Sequence, residues 1–557
     1  MLSILSANIN VFVDGILVGN KLGTNALAAI NLSLPLYLAL CIIGSFFSSG
    51  TAICSARAIG DDDPEKSLMY YRTGIVSLFF VSIFITVIGL VLRNPLVAFL
   101  CSEEEIRPYV MEYTVITLIG ALPKIMLYIP FWYLRLDGKN NAVAAVMAVM
   151  SIGNILLDLL FVYLWDMGVF GAGLASVIAT AIAFLLGMYR LFRKDCFFTF
   201  KPYFLFDSKE WKAISVTGTP SALNNLLSTL RLLMINSLLL DYGGGHLVAI
   251  FTAVNGISGF GECITLGIPQ AAAPMLGVFC GEQDNGSCAL LVKLELTAGC
   301  ILSAVFLAAV TVFSEPIRAL YSLEGSLFFP LLWLGLSVFP GMLCTVLSGY
   351  YNMAGKTFWS NSIIFLRVIA MTFIGLTGVT YLKLSTFSFL LFAEAATVAV
   401  WFAASGIYHR KHKADTRFLL MDLSLEKRGN ILNFSVSSDA ASICEASERI
   451  SAFCDANGMN KKSTMRIQLA MEETMTLIAS ENAQDSLTAL SFDLRAYSLD
   501  GLIGIRIRYG GKEFDPFRSA SEDDERYLGI RMLRKLTGVR YQRTFGVNTL
   551  QISIRAQ

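Results

Sequence analysis

Charge is thin in this sequence: 15% of its 557 residues are Asp, Glu, Lys or Arg, against about 25% in ordinary soluble domains. Histidine is rarer still, with three copies. The 11 cysteines include no Cys-x-x-Cys pair and no Cys/His ligand spacing, which excludes zinc modules and thioredoxin-like redox centres. Most fall in apolar runs (Cys41, Cys54, Cys263, Cys300, Cys344) and read as small fillers. The net charge of +1 says nothing about nucleic acid, because the charges are local and belong to loops; no nucleic-acid partner is expected. The first apolar run, residues 1–18, lacks a basic flank and a small-residue cleavage site and carries Asp14. It is therefore not expected to be a secretory signal. It is near the lower limit of about 17 residues for a span, so further residues are expected upstream of it.

Apolar residues fill the space that charge leaves: 55% of the chain is hydrophobic and the mean hydropathy is +0.62. They are unevenly spread. Residues 1–408 are a series of long apolar runs, and the chain from 409 onward has soluble composition. Twelve spans are expected, at 2–18, 26–57, 70–92, 108–132, 141–164, 168–190, 213–240, 246–279, 288–313, 326–351, 359–381 and 384–408. Pro35, Pro220, Pro269 and Pro340 lie inside them, as kinked membrane helices tolerate. Basic residues set the orientation. Arg190, Arg193, Lys194, Lys201, Lys209 and Lys212 lie between spans six and seven, and Arg410, Lys411, Lys413 and Arg417 follow span twelve. Cytoplasmic loops carry such an excess. The expectation is a multi-pass protein of the cell membrane with both termini in the cytoplasm.

The sequence also echoes itself. Residues 27–63 resemble 247–284, and "RLDGKNN" at 135–141 resembles "NMAGKTF" at 352–358. An even number of spans separates the copies, so the repeat is parallel, about an axis along the membrane normal. The expected organisation is an N-lobe of six helices (1–190), a cytoplasmic linker (191–212), a C-lobe of six helices (213–408), a basic juxtamembrane linker (409–427) and a cytoplasmic domain (428–557). Paired six-helix lobes point to a transporter.

Within "SIGNILLDLLFVYLW" (151–165), Asn154 and Asp158 are four residues apart and share a helix face. Asp at mid-helix costs roughly 2.5–3.5 kcal/mol on insertion scales, so an intramembrane carboxylate suggests function. Asp14 in span one and Ser176 in span six fall at a similar depth. Two carboxylates, an amide oxygen and a hydroxyl make an oxygen site suited to Na⁺, with Asp14, Asn154 and Asp158 as its ligands. In a dry setting the two carboxylates share a proton instead. Lys124, Arg231, Glu262, Arg367 and Glu394 also lie at membrane depth. Arg231 with Glu262, and Arg367 with Glu394, are candidate pairs, serving either structure or substrate.

"VDGILVGNKLGTNALAAINLSLPL", "RLDGKNN", "SIGNILLDLLF" and "GVFGAGLAS", in that order, resemble the multidrug and toxic compound extrusion (MATE) transporters, in the branch with an Asp in the first helix. The resemblance covers residues 1–408. It implies twelve helices in two lobes, alternating access, and export of amphipathic, cationic small molecules against inward Na⁺ or H⁺. It maps the family's N-lobe cation site onto Asp14, Asn154, Asp158 and Ser176, with Ser replacing the frequent Thr.

The region after 428 reads as an α+β sandwich: a strand at "LNFSVSS", two amphipathic helices, a hairpin around Asp500–Gly501, then a helix and two strands. "LAMEET", "GGKEFDPF", "YLGIRMLRKL" and "GVNTLQISI" resemble the GHKL ATPase fold, in the anti-sigma-factor kinase branch. That family holds Mg²⁺ with an Asn and reads adenine with an Asp. Here Glu472, Glu473, Gly511 and Gly529 remain, but Leu477 stands where the Asn belongs and Tyr509 where the Asp belongs. The resemblance thus implies a degenerate, non-catalytic domain, with a cytoplasmic protein partner possible for it. The whole reads as a transporter with no enzyme activity and no cofactor beyond the coupling ion. Two alternatives stand beside the exporter: a flippase for lipid-linked oligosaccharides, and a membrane sensor whose soluble domain binds a regulator of the anti-sigma or anti-anti-sigma type.

Overall fold

A computed structural model describes residues 2–61, 63–101, 104–193, 196–199, 207–320, 325–412, 418–421, 423, 430–482, 490–499, 502–519, 530–531, 538–544 and 547–555; the side chains of 2–20, 23–28, 31, 243–245, 320, 499, 518–519, 544 and 555 fall outside that description. The chain forms two compact units, Met1–Leu420 and Met421–Gln557. The composition changes at 409, yet residues up to 420 stay with the first unit. Phe418 is the reason: its ring lies 4.8 Å from that of Phe402, and its carbonyl accepts the Tyr351 hydroxyl.

The first unit is helical. Its first half contains α1 (Leu2–Gly60), α2 (Pro64–Val91), α3 (Arg93–Leu100), α4 (Arg107–Ile119), α5 (Ala121–Met126), α6 (Tyr128–Leu136), α7 (Asn140–Asp158), a π-helical turn (Leu159–Leu164) and α8 (Gly168–Leu191). Its second half contains α9 (Ser208–Thr265), α10 (Gly267–Gly281), α11 (Asn285–Val312), α12 (Ser314–Leu320), α13 (Phe328–Met353), α14 (Thr357–Phe365), a second π-helical turn (Leu366–Ala370), α15 (Met371–Tyr381) and α16 (Phe389–His412). Among the described residues ten helices are long and apolar enough to cross a membrane, or eleven if the bent run 107–136 counts as one. The span expected at 2–18 lies outside the residues that count covers. The helical run continues through 18–26 and 240–246, where loops were expected; neither stretch has a proline to interrupt the hydrogen bonding. The bend of 54° within 107–136 falls at Gly120, where a Cβ would come 2.3 Å from Val177.

Both echoes have matching backbones. Gly138 and Gly355 take φ of 77° and 76°, a left-handed conformation that suits glycine. Behind them, Lys139 N donates to Leu134 O at 2.8 Å and Lys356 N to Tyr351 O at 2.7 Å. Asp63 and Asp284 cap the helices that follow, accepting from Lys66 N and Ser287 N at 3.0 and 3.1 Å. Each half also places a π-helical turn in the helix that follows its Gly-Lys turn.

The second unit has a five-stranded antiparallel sheet in the order β1-β2-β3-β5-β4, with β1 Asn430–Ser437, β2 Ser491–Leu499, β3 Leu502–Tyr509, β4 Gly538–Thr544 and β5 Val547–Arg555. The expected hairpin is present, with Leu499 facing Leu502. Helices α17 (Ala440–Ala456) and α18 (Lys461–Asn482) share one core with the strands, through Ile450, Met471 and Ile478 against Phe492, Ile505 and Ile552. Asp439 caps α17 by accepting from Ser442 N at 2.9 Å.

Candidate coupling site and central cavity

The polar pair of α7 forms as its spacing predicts. Asn154 Nδ2 donates to Asp158 Oδ2 at 3.0 Å, and Ser176 Oγ comes from α8 to 3.4 Å of the same nitrogen. Asp158 is fully buried and Asn154 nearly so. A hydrogen bond to a charged group is worth about 1.5–3 kcal/mol, comparable with the cost of placing the carboxylate there. The π-helical turn begins at the next residue, Leu159, and such turns are frequent at functional sites. Asp14 lies in α1, with its side chain outside the described residues.

Of the other intramembrane charges, Arg367 and Glu394 meet. The Nε of Arg367 donates to both carboxylate oxygens, at 2.8 and 2.7 Å. Arg231 and Glu262 form no ion pair, although each lies within electrostatic reach of the other and of Arg367. Glu262 is exposed, whereas Arg231 is half-buried in an apolar niche with Met234, Leu238 and Val368. Glu295 of α11, which the spacing arguments passed over, is buried with neither carboxylate oxygen hydrogen-bonded.

A cavity of about 440 Å³ lies between the halves. Tyr37, Lys124, Tyr128 and Trp132 line it from the first half, and Asn225, Gln270 and Arg367 from the second. Lys124 Nζ sits 3.8 Å from the centroid of the Tyr37 ring and donates to its hydroxyl at 2.5 Å. The cargo was expected to be cationic. The described lining offers two basic side chains and no Asp or Glu, so it holds no counter-charge for such a cargo.

Below the cavity the halves are joined at the end that carries Arg57, Arg135 and Lys356. Arg57 Nε donates to Met353 O at 2.7 Å and its Nη2 to Asn352 O. Arg135 Nη1 donates to Gln270 Oε1 at 2.9 Å. Gly60 and Gly281 pack so closely that a Cβ on either would lie within 3.0 Å of the other's Cα. The small residues let the backbones approach and the arginines tie them.

In the second unit, the positions that the resemblance marks for nucleotide are filled. Leu477 and Tyr509 are buried members of the core. The Tyr509 hydroxyl donates to Phe514 O at 2.7 Å. Asn548 Nδ2 donates to Lys512 O at 2.9 Å, and Asn482 Oδ1 accepts from Lys512 N at 2.9 Å. Gly511, at φ 91°, packs against Asn482, where a Cβ would clash. Burial pushes the Tyr509 phenol far up from its ordinary value. Glu472 and Glu473 are half-buried on α18, and Gly529 lies outside the described residues.

Residues 1–162 match the MatE family model. The chain is 24% identical over 326 residues to the multidrug export protein MepA of Staphylococcus haemolyticus (strain JCSC1435), covering 58% of this chain and 71% of that protein. It is 23% identical over 317 residues to an FAD transporter of Shewanella oneidensis (strain ATCC 700550 / JCM 31522 / CIP 106686 / LMG 19005 / NCIMB 14063 / MR-1), covering 55% and 68%. A crystal structure of MATE in complex with MaL6 superposes with a TM-score of 0.70 at 22% identity, over 74% of this chain and 95% of that one. The membrane unit has the MATE fold.

Proposed function

We propose that this chain is a MATE-type secondary active exporter of amphipathic small molecules, driven by Na⁺ or H⁺ entering through Asp14, Asn154, Asp158 and Ser176. One observation carries the reading: a buried carboxylate, hydrogen-bonded by Asn154, beside Ser176, in the same helical unit as a cavity between two repeated halves. The fold and the transporter names of its relatives support it. Ligand pockets typically span about 300–1,000 Å³, and a cavity of about 440 Å³ suits a drug-sized cargo. That size favours the exporter over the flippase, whose lipid-linked sugar is larger.

The positive-inside rule puts the Arg57 end in the cytoplasm. The state described is then closed inward by Arg57, Arg135 and the Gly60–Gly281 contact. Protonation or ion binding at Asp158 neutralises the carboxylate and changes what α7 must hydrogen-bond, which biases the packing of the first half. Cargo leaves in one state, and the ion drives the return to the other.

The second unit is, in this reading, a GHKL-like domain that has lost nucleotide chemistry and serves as a binding or regulatory module. Its support is the filling of the nucleotide positions by Leu477 and Tyr509.

The test is export from cells. Cells expressing the chain and cells with empty vector are loaded with a panel of amphipathic fluorophores and then energised. Faster loss of at least one fluorophore, abolished by collapsing the ion gradients, is the expected result. Equal retention throughout, with the protein in the membrane, contradicts the reading.

A further inference from the structure

Resting on the exporter reading, we infer that the central cavity takes a monoanionic amphipath with a planar aromatic body, and that Lys124 is the residue that anchors its charge.

An ammonium in a membrane-embedded cavity is costly, and such groups are normally paired. Lys124 faces a neutral partner, the ring and hydroxyl of Tyr37. Arg367, the other basic residue of the lining, is already neutralised by both oxygens of Glu394. Among the described lining residues no carboxylate balances Lys124. The described lining therefore carries one positive charge that none of its own residues compensates. A carboxylate, sulfonate or phosphate monoester monoanion would supply the missing partner through a charge-assisted hydrogen bond. A cationic cargo would meet like charge there with nothing to offset it.

The rest of the lining fits the body of such a molecule. Tyr128, Phe131 and Trp132 offer aromatic surface beside Lys124. Asn224 and Asn225 on the facing half add amide groups that read neutral polar substituents. Because Arg367 is spoken for, a second negative charge on the cargo finds no second free cation among these residues. Lys124 is thus a specificity residue, acting on the charge of what enters.

Three probes separate charge from shape: dansylglycine, a monoanion; dansylamide, its neutral relative; and ethidium, a monocation. Binding is measured by fluorescence on the purified full chain in nanodiscs of neutral lipid. Wild type should bind dansylglycine at least tenfold more tightly than ethidium. Lys124→Gln should lose at least tenfold in dansylglycine affinity and leave dansylamide unchanged, and Lys124→Arg should restore most of the loss. Thermal unfolding of each variant identifies a folding defect, and rescue by Lys124→Arg distinguishes charge from a structural role. Equal dansylglycine binding by wild type and Lys124→Gln, tighter binding of ethidium, or no binding of dansylglycine overturns the inference. Liposomes under imposed Na⁺ and H⁺ gradients separate it from the exporter reading. Lys124-dependent binding without gradient-driven movement upholds the cavity assignment and defeats the exporter. Gradient-driven ethidium export without dansylglycine binding does the reverse.

Discussion

In the membrane unit, Asn154 reaches Asp158 at 3.0 Å across one helical turn, and Ser176 arrives beside them from α8. In the C-terminal unit, Leu477 and Tyr509 stand where the resembling ATPase family keeps its metal ligand and base reader, and both are packed into the core. The membrane unit has the MATE fold, and its polar groups meet despite the cost of burial. In the C-terminal unit the positions that the resemblance marks for polar groups hold an apolar and an aromatic residue that pack into the core. If the reading proposed above holds, the first pattern is that of a site in use and the second that of a site given up.

The largest effect that sharpens this contrast comes from placing an acid at position 509, where the resembling family keeps one. Tyr509→Asp removes a buried ring, orphans Phe514 O and places a carboxylate among apolar side chains. We expect about 4 kcal/mol or more of destabilisation. Thermal unfolding and limited proteolysis of the full chain should show it, with no gain in ATP–Mg²⁺ binding. A stable variant that binds ATP would break the contrast, because the cleft would then be open.

A somewhat smaller effect is expected at the ion pair of the second half. Glu394→Gln leaves the partly buried Arg367 without its counter-charge, at a cost of about 3 kcal/mol. Replacing both, with Arg367→Met and Glu394→Leu, should recover most of that stability. Recovery of folding together with transport assigns the pair to structure. Recovery of folding without transport would put it in the site and blur the line between the two halves.

Much of this organisation is legible in the residues. The four-residue spacing of Asn154 and Asp158 predicts their contact. The Gly-Lys echoes predict matching turns, because each glycine takes a positive φ that few other residues hold. Arg367 and Glu394 find each other as their neighbouring spans suggest. Other features leave no local mark. Arg57 binds the carbonyls of Asn352 and Met353, nearly 300 positions away, and backbone acceptors have no sequence signature. Glu295 looks like any residue of a long helix until its neighbours bury it. Lys124 is visible as a charge at membrane depth, but that no described lining residue is an acid to balance it depends on a cavity walled by several helices. Asn482, which ties the turn around Gly511, is offset from the motif it serves and so escapes a motif-based reading.

The most direct test of the account is ion flux through the first half. Purified chain is reconstituted into liposomes preloaded with an exported compound, and uptake of radioactive Na⁺ and internal acidification are followed as that compound leaves. The account predicts that one of the two ions enters in step with export, and that Asp158→Asn abolishes both movements while the protein remains folded. Undiminished coupled flux in Asp158→Asn would contradict it and remove the buried carboxylate from the mechanism.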